Sequence, residues 1–199
     1  MDPEQVTESL RRDIEAGLIA PGSPLRQEEI AKRFGVSRQP IRHALQRLVA
    51  EGLLMRRSDR TLVVVQVGER EAAEIANIRV VLESEALRQS LENLDARALK
   101  AARRIAADLA DEEDPAQMEE LDVAFHEMLY KGCQNDRLKQ LIQTMRRESR
   151  RAYHTQAKPS PDRRRYRLEH QQLLAACEKG NFPRALAILA KHLTHNDVD

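Results

Sequence analysis

The sequence contains no tryptophan, three phenylalanines and three tyrosines, so aromatics make up only 3% of its 199 residues. A core must then be assembled from Leu, Ile, Val and Ala, which favours helix packing over a β-sandwich. Seven glycines and eight prolines leave little room for the many turns of an all-β fold. No apolar run approaches the roughly 20 residues that cross a bilayer. The N-terminal stretch MDPEQVTESLRRDIEAG lacks the apolar segment of a signal peptide. These absences predict a cytosolic protein with no membrane partner, in which Cys133 and Cys177 are reduced, buried thiols. Net charge is nearly absent too, at +1, although 33% of residues are charged and 41% are hydrophobic. That balance suits a globular chain and is too apolar for a disordered one.

The small net charge hides an uneven distribution. Residues 26–60 hold nine Lys/Arg against four Asp/Glu, a net +5, whereas residues 69–199 hold 22 against 23, a net −1. A basic module of residues 1–68, suited to a polyanion, followed by a near-neutral module of residues 69–199 is the organisation this implies.

In the basic module Val6, Leu10 and Ile14 recur at helical spacing. Pro21, Gly22 and Pro24 break the chain. A short helix follows from about Gln27 to Phe34, with Ile30, Ala31 and Phe34 on one face, and Gly35 stops it. Ser37 is placed to cap the next helix, with Pro40 in its first turn and Ile41, Ala44, Leu45 and Leu48 inward. After Gly52, the stretch LLMRRSDRTLVVVQV reads as two short strands around a Ser58–Asp59 turn. The order helix, helix, turn, helix, hairpin is that of a winged helix-turn-helix. Its second crossing helix presents Arg38, Gln39 and Arg42 at the end that meets base edges in the major groove. Arginine matches guanine O6 and N7, glutamine suits adenine, and the N–H groups at Ser37 suit a phosphate. A solvated amphipathic helix is the plainer alternative, but cap, turn, arginine pair and hairpin agree on double-stranded DNA.

At these residues the chain resembles the GntR family of bacterial transcription regulators, through PGSPL at 21–25, EIAKRFGVSRQPIRHAL at 29–45 and RLVAEGLL at 47–54. The resemblance gives Arg38 and Arg42 base-reading roles and Ser37 a phosphate role. Two departures stand out. Gln27 replaces the usual Glu, and the wing tip reads Ser58-Asp59-Arg60-Thr61 where Arg-Gly is common, which predicts a different turn. Arg60 remains a candidate minor-groove or phosphate contact.

The second module is helical in pattern almost throughout. Ile75, Ile78, Val81, Leu82 and Leu87 mark one helix. Asp95 caps a second, Pro115 starts a third, Asn135 caps a fourth, and helices of about 162–179 and 182–195 flank Gly180. A loop is expected at 156–161. Six antiparallel helices make an all-α bundle. Asp122 and His126 are four residues apart and share a face. His170 and His192 lie ten residues before Gly180 and nine after Pro183, so a hairpin of the last two helices sets both about 15 Å from its turn. One carboxylate and three imidazoles suit a divalent ion such as Zn, Ni or Mn. Each histidine alone also reads as an ordinary satisfied polar group.

The stretch LDVAFHEMLY…QNDRL and the ending EHQQLLAACEKGNFPRALAILAKHL resemble the effector (FCD) domain of FadR-type GntR regulators. IANIRVVLESEALRQSL resembles its opening helix through Arg79, Leu82 and Glu83. Six helices match the shorter, VanR-like variant. The resemblance implies a metal held by Asp122, His126, His170 and His192, with a small carboxylate ligand beside it. It turns Arg79 toward that ligand, while an i,i+4 salt bridge to Glu83 is the equal alternative. The arginines at 146, 147, 150, 151, 163, 164, 165 and 167 read as a solvated face or as partners of the acids at 111–114, with Arg150 or Arg151 able to reach the pocket. Glu127 and Glu169 lie off the ligand faces. The whole reads as a homodimeric, non-enzymatic repressor that binds a palindromic operator, is cytoplasmic and nucleoid-associated on DNA, and responds to a small organic acid. A metal sensor and a metal-dependent hydrolase fused to a DNA-binding domain are the alternatives.

Overall fold

The computed structural model describes residues 2–155 and 163–195. The expected 156–161 loop and the Arg163 side chain fall outside the described set. The chain divides into two compact units: Met1–Ala72 with Arg147–Ala157, and Ala73–Arg146 with Lys158–Asp199. The boundary read from charge at 68/69 lies about a turn before Ala72, and charge gave no sign that 147–157 group with the first unit.

The first unit opens with α1 (Pro3–Glu15). Asp2 and Gln5 close a reciprocal capping box, each side chain accepting from the other's backbone N–H at 2.9 and 3.2 Å. Helix α2 (Gln27–Phe34) ends at Gly35, whose φ of +65° is the left-handed turn that lets α3 (Arg38–Ala50) start in a new direction. The hairpin β1 (Leu54–Arg56) and β2 (Leu62–Val64) pairs antiparallel, Leu54 with Val64 and Arg56 with Leu62. Val6, Leu10, Ile14, Ile30, Ile41, Leu45, Leu48 and Leu54 form one buried core. Its inner faces are the ones the 3.6-residue spacing predicts, since each apolar stripe has to leave water. At the wing tip Arg60 takes a positive φ of 67°, the conformation the missing glycine would have supplied. Asp59 accepts from the Thr61 N–H at 2.9 Å and holds that turn.

The second unit is mainly helical: most of α4 (Glu69–Leu91), α5 (Ala96–Asp111), α6 (Pro115–Leu129), the first half of α7 (Asp136–Thr155), α8 (Arg163–Glu178) and α9 (Phe182–His195). Asp95 and Asn135 accept from the backbone N–H groups of Ala98 and Leu138 at 2.7 and 3.0 Å, capping α5 and α7. The core is Leu87, Phe125, Leu129, Leu173, Leu189, Leu193 and their neighbours. Gly132 fits only as glycine, because a Cβ there would lie 2.5 Å from the Ser90 carbonyl oxygen. Helix α4 departs from its expected apolar stripe. Ile78 and Val81 face outward, 47% and 68% exposed, and the inward positions are taken by Arg79 and Glu83. The inner face of this helix thus serves a polar cluster at Arg79 and Glu83 and the core at Ala86, Leu87 and Leu91.

Candidate metal centre and candidate nucleic-acid interface

Helix α6 carries Asp122 and His126 one turn apart, α8 brings His170 and α9 brings His192. One ligand atom from each lies within 4.8 Å of the others. The three histidines are 1–2% exposed. Each imidazole is oriented through Nδ1. His170 Nδ1 donates to the Tyr166 carbonyl oxygen at 2.8 Å. His192 Nδ1 donates to Glu169 Oε2 at 2.9 Å. His126 Nδ1 lies 3.2 Å from the Tyr130 hydroxyl, whose proton goes to Glu83 Oε2 at 2.8 Å, so the tyrosine oxygen accepts from Nδ1. Three engaged Nδ1 atoms leave three Nε2 atoms as lone-pair donors, the tautomer that metal-binding histidines use.

One of those Nε2 atoms lacks a hydrogen-bond partner. His126 Nε2 is buried with no hydrogen bond. His170 Nε2 faces Asp122 Oδ1 at 3.0 Å, close enough for a proton or a cation to be shared between them. The donor set, three imidazoles and a carboxylate, fits a borderline divalent ion.

A second layer of charge surrounds the donors. Arg146 reaches Asp122 Oδ2 with Nη1 at 3.1 Å and Glu83 Oε2 with Nε at 3.0 Å. Arg79 Nε donates to Glu83 Oε1 at 2.8 Å, and Tyr166 donates its phenol to Asp122 Oδ1. Burial alone would raise the Glu83 carboxyl, but Arg146 and Arg79 pull it down to about 2. Burial works against an ionised Asp122 as well, yet His126, His170 and Arg146 hold it well below the usual carboxylate range. Burial and the Arg146 charge push His126 down to about 3, which keeps its ring neutral.

The arginine run does not behave as one solvated face. Arg146 is 9% exposed and belongs to the cluster. Arg151 belongs to the first unit, where it donates to the Gly52 carbonyl at 3.2 Å and pairs with Glu148. Arg165 pairs with Glu169 at 3.1 Å, and Arg167 donates to the Ala110 carbonyl instead of the 111–114 acids. Glu169, expected to point elsewhere, orients His192 because the two helices bring them level. Tyr130, Tyr166, Arg146 and Glu169 were missed as members of this cluster, whereas the Arg79–Glu83 pair is the salt-bridge alternative read from the sequence. Tyr130 and Tyr166 stand four residues from His126 and His170, a spacing that could have flagged them.

In the first unit Ser37, Arg38, Gln39 and Arg42 are exposed, and Ile41, Ala44, Leu45 and Leu48 of the same helix are buried. Ser37 is extended and makes no side-chain cap, and the first turn of α3 holds no acid. The positive end of this helix is thus presented to an outside anion. Arg60 is exposed at the wing tip, and Arg26, Arg56 and Arg60 line one groove with Gln27 and Asp59.

The description "Bacterial regulatory proteins, gntR family" matches residues 3–64, and the FCD domain matches residues 74–195. The HTH-type transcriptional regulator BphR of Paraburkholderia xenovorans is 36% identical over 65% of this chain and 57% of its own. The chain spans about half the length of the curated relatives it matches. A GntR-family transcriptional regulator from Pseudomonas syringae pv. tomato is 34% identical, with a TM-score of 0.55 over 97% of this chain and 81% of that one. Escherichia coli McbR/YncC, at 24% identity, shares the fold with a TM-score of 0.79 over 98% and 94%. No helix among the described residues is long and apolar enough to cross a membrane. Motif, helical architecture and solved relative agree, and the chain belongs to the GntR family of bacterial regulatory proteins, with an FCD domain following its helix-turn-helix.

Proposed function

We infer that this chain is a cytoplasmic, sequence-specific DNA-binding transcription regulator, a repressor whose grip on a palindromic operator is released by a small organic acid. Residues 1–68 serve as the DNA-binding module and 69–199 as the effector-binding and dimerisation module. Arg38, Gln39 and Arg42 read bases, while Ser37 and Arg60 meet the backbone or minor groove. Two-fold operators match two-fold proteins, and Ile78 and Val81 leave an apolar strip on α4 that suits a second copy of the chain.

The observation that carries the ligand-sensing half is the set of three imidazoles fixed through Nδ1 around Asp122, with the His126 Nε2 orphaned. Asp122, His126, His170 and His192 would hold a divalent ion of the Zn, Ni or Mn kind. Such an ion would offer a carboxylate oxygen a place to bind. The surrounding charges support an anionic effector. Asp122 and Glu83 are balanced by Arg79 and Arg146, so a divalent ion leaves the cluster two charges positive. Arg79 is the candidate for the effector's second oxygen, and Glu83 holds its guanidinium until then. A hydrolase gains no support from the nearby acids: Glu169 is committed to His192 and Arg165, and Glu127 accepts from Gln143 at 3.3 Å.

The test is a titration of small organic acids against operator binding for wild type and Arg79→Ala. The acid must bind the two functional arrangements unequally to shift them. Weaker operator binding with acid, blunted in the variant, is the expected result. An unchanged response in Arg79→Ala removes this residue from the effector pocket.

A further inference from the structure

Glu28, in the first turn of α2, lies 2.7 Å by Oε1 from Nη2 of Arg38, the first residue of α3, and the side chains are 72% and 71% exposed. Stability does not account for this pair, because exposed ion pairs contribute little. Glu28 suits the first turn of α2, but the pair still sets a cation against the start of α3 and a carboxylate on the face proposed to meet DNA. A cation in a helix's first turn meets the positive end of the macrodipole, and α3 offers no acid there to offset it. A carboxylate on a face that meets DNA repels phosphates. The two unfavourable placements coincide, and each relieves the other.

The geometry points to Glu28 as a positioning residue for base reading, one that presets the Arg38 guanidinium and penalises DNA lacking a guanine opposite it. This rests on Arg38 being a base contact, as inferred above. A guanidinium has five N–H donors. Glu28 takes one on Nη2, and a two-pronged edge remains for guanine O6 and N7. A preset fork loses less rotamer freedom on binding. Where the base offers no paired acceptors, the complex keeps the repulsion between Glu28 and the phosphates without that gain. The neighbouring acid Glu29 is engaged elsewhere, with Arg26 at 3.2 Å, and Arg47 goes to Glu4 and Glu51. Glu28 is therefore the acid tied to the reading end of α3.

The experiment is selection of bound duplexes from a random pool with the full chain as wild type, Glu28→Ala, Glu28→Gln and Arg38→Ala, alongside binding to an unselected duplex at several salt concentrations. Glu28→Ala is expected to bind the unselected duplex more tightly. It should lose about tenfold of the guanine preference at the one position where Arg38→Ala loses it entirely. Glu28→Gln, which keeps the hydrogen bond and drops the charge, falls between. The melting temperature stays at the wild-type value because the pair is exposed. A wild-type base profile for Glu28→Ala overturns the role of Glu28 and leaves that of Arg38 standing. Loss at a different position overturns it in favour of direct acceptance from a cytosine amino group. If Arg38→Ala changes no base preference, base reading by Arg38 falls and the role of Glu28 falls with it.

Discussion

Arg146 Nη1 lies 3.1 Å from Asp122 Oδ2, so a residue from a run of arginines on α7 is tied to the carboxylate at the centre of three histidines. The same guanidinium covers Glu83, which is fully buried. Removing one partner of a buried pair leaves an uncompensated charge. Arg146→Met should therefore destabilise the protein by about 3–5 kcal/mol, read as the shift in a urea unfolding midpoint. A midpoint equal to wild type would mean that Glu83 is not held as the structure has it.

The proposed metal site would draw its ligands from three helices. His170→Ala and His192→Ala should each lower bound metal and the melting temperature, because the ion links separate elements. Glu169→Gln, which removes the charge that His192 and Arg165 both face, should weaken metal affinity by about 10–100-fold without abolishing it. Elemental analysis and a competition titration with a chelator give both quantities. Equal metal content in wild type and both alanine variants would reject the site.

The approach of Gly132 to Ser90 gives a purely structural prediction. A methyl group there meets backbone rather than a flexible side-chain end. Gly132→Ala should cost about 1–3 kcal/mol, the range for forced overpacking. Thermal unfolding checks it, and an unchanged melting temperature would show that the loop after α6 moves freely.

On the DNA side, Arg38→Ala should cost about 1–3 kcal/mol at its cognate base and relax preference at one position. The measurement is operator binding against single-base variants at fixed salt. Equal affinity and equal preference would show that the N-terminal end of α3 does not read bases.

The sequence made much of this legible because repeating patterns leave traces. Helical spacing marked the inner faces of α1 and α3, turn residues marked Gly35 and Gly180, and the i,i+4 spacing put Asp122 beside His126. What was not legible came from side chains whose partners lie far along the chain. Arg146 sits 63 residues from Glu83, and among arginines on one helix nothing local distinguishes the one that turns inward. Ile78 and Val81 mark a helix but not its inner face, because apolar periodicity cannot tell an inward stripe from an outward one on a helix whose inner face also carries ions. Glu169 was misjudged for a related reason: its face is set by how α8 and α9 pack, not by its own helix. At the wing tip Arg60 itself adopts the left-handed conformation a glycine would supply, so the missing glycine did not by itself mark a different turn.

A metal-held effector site is proposed to control DNA binding. The most direct measurement is operator binding by the metal-loaded protein and by the same protein after chelation, each titrated with small organic acids. The account predicts that an acid weakens operator binding of the loaded protein and has no effect once the metal is removed. An acid response that survives chelation, or no response from the loaded protein to any carboxylate, would contradict it.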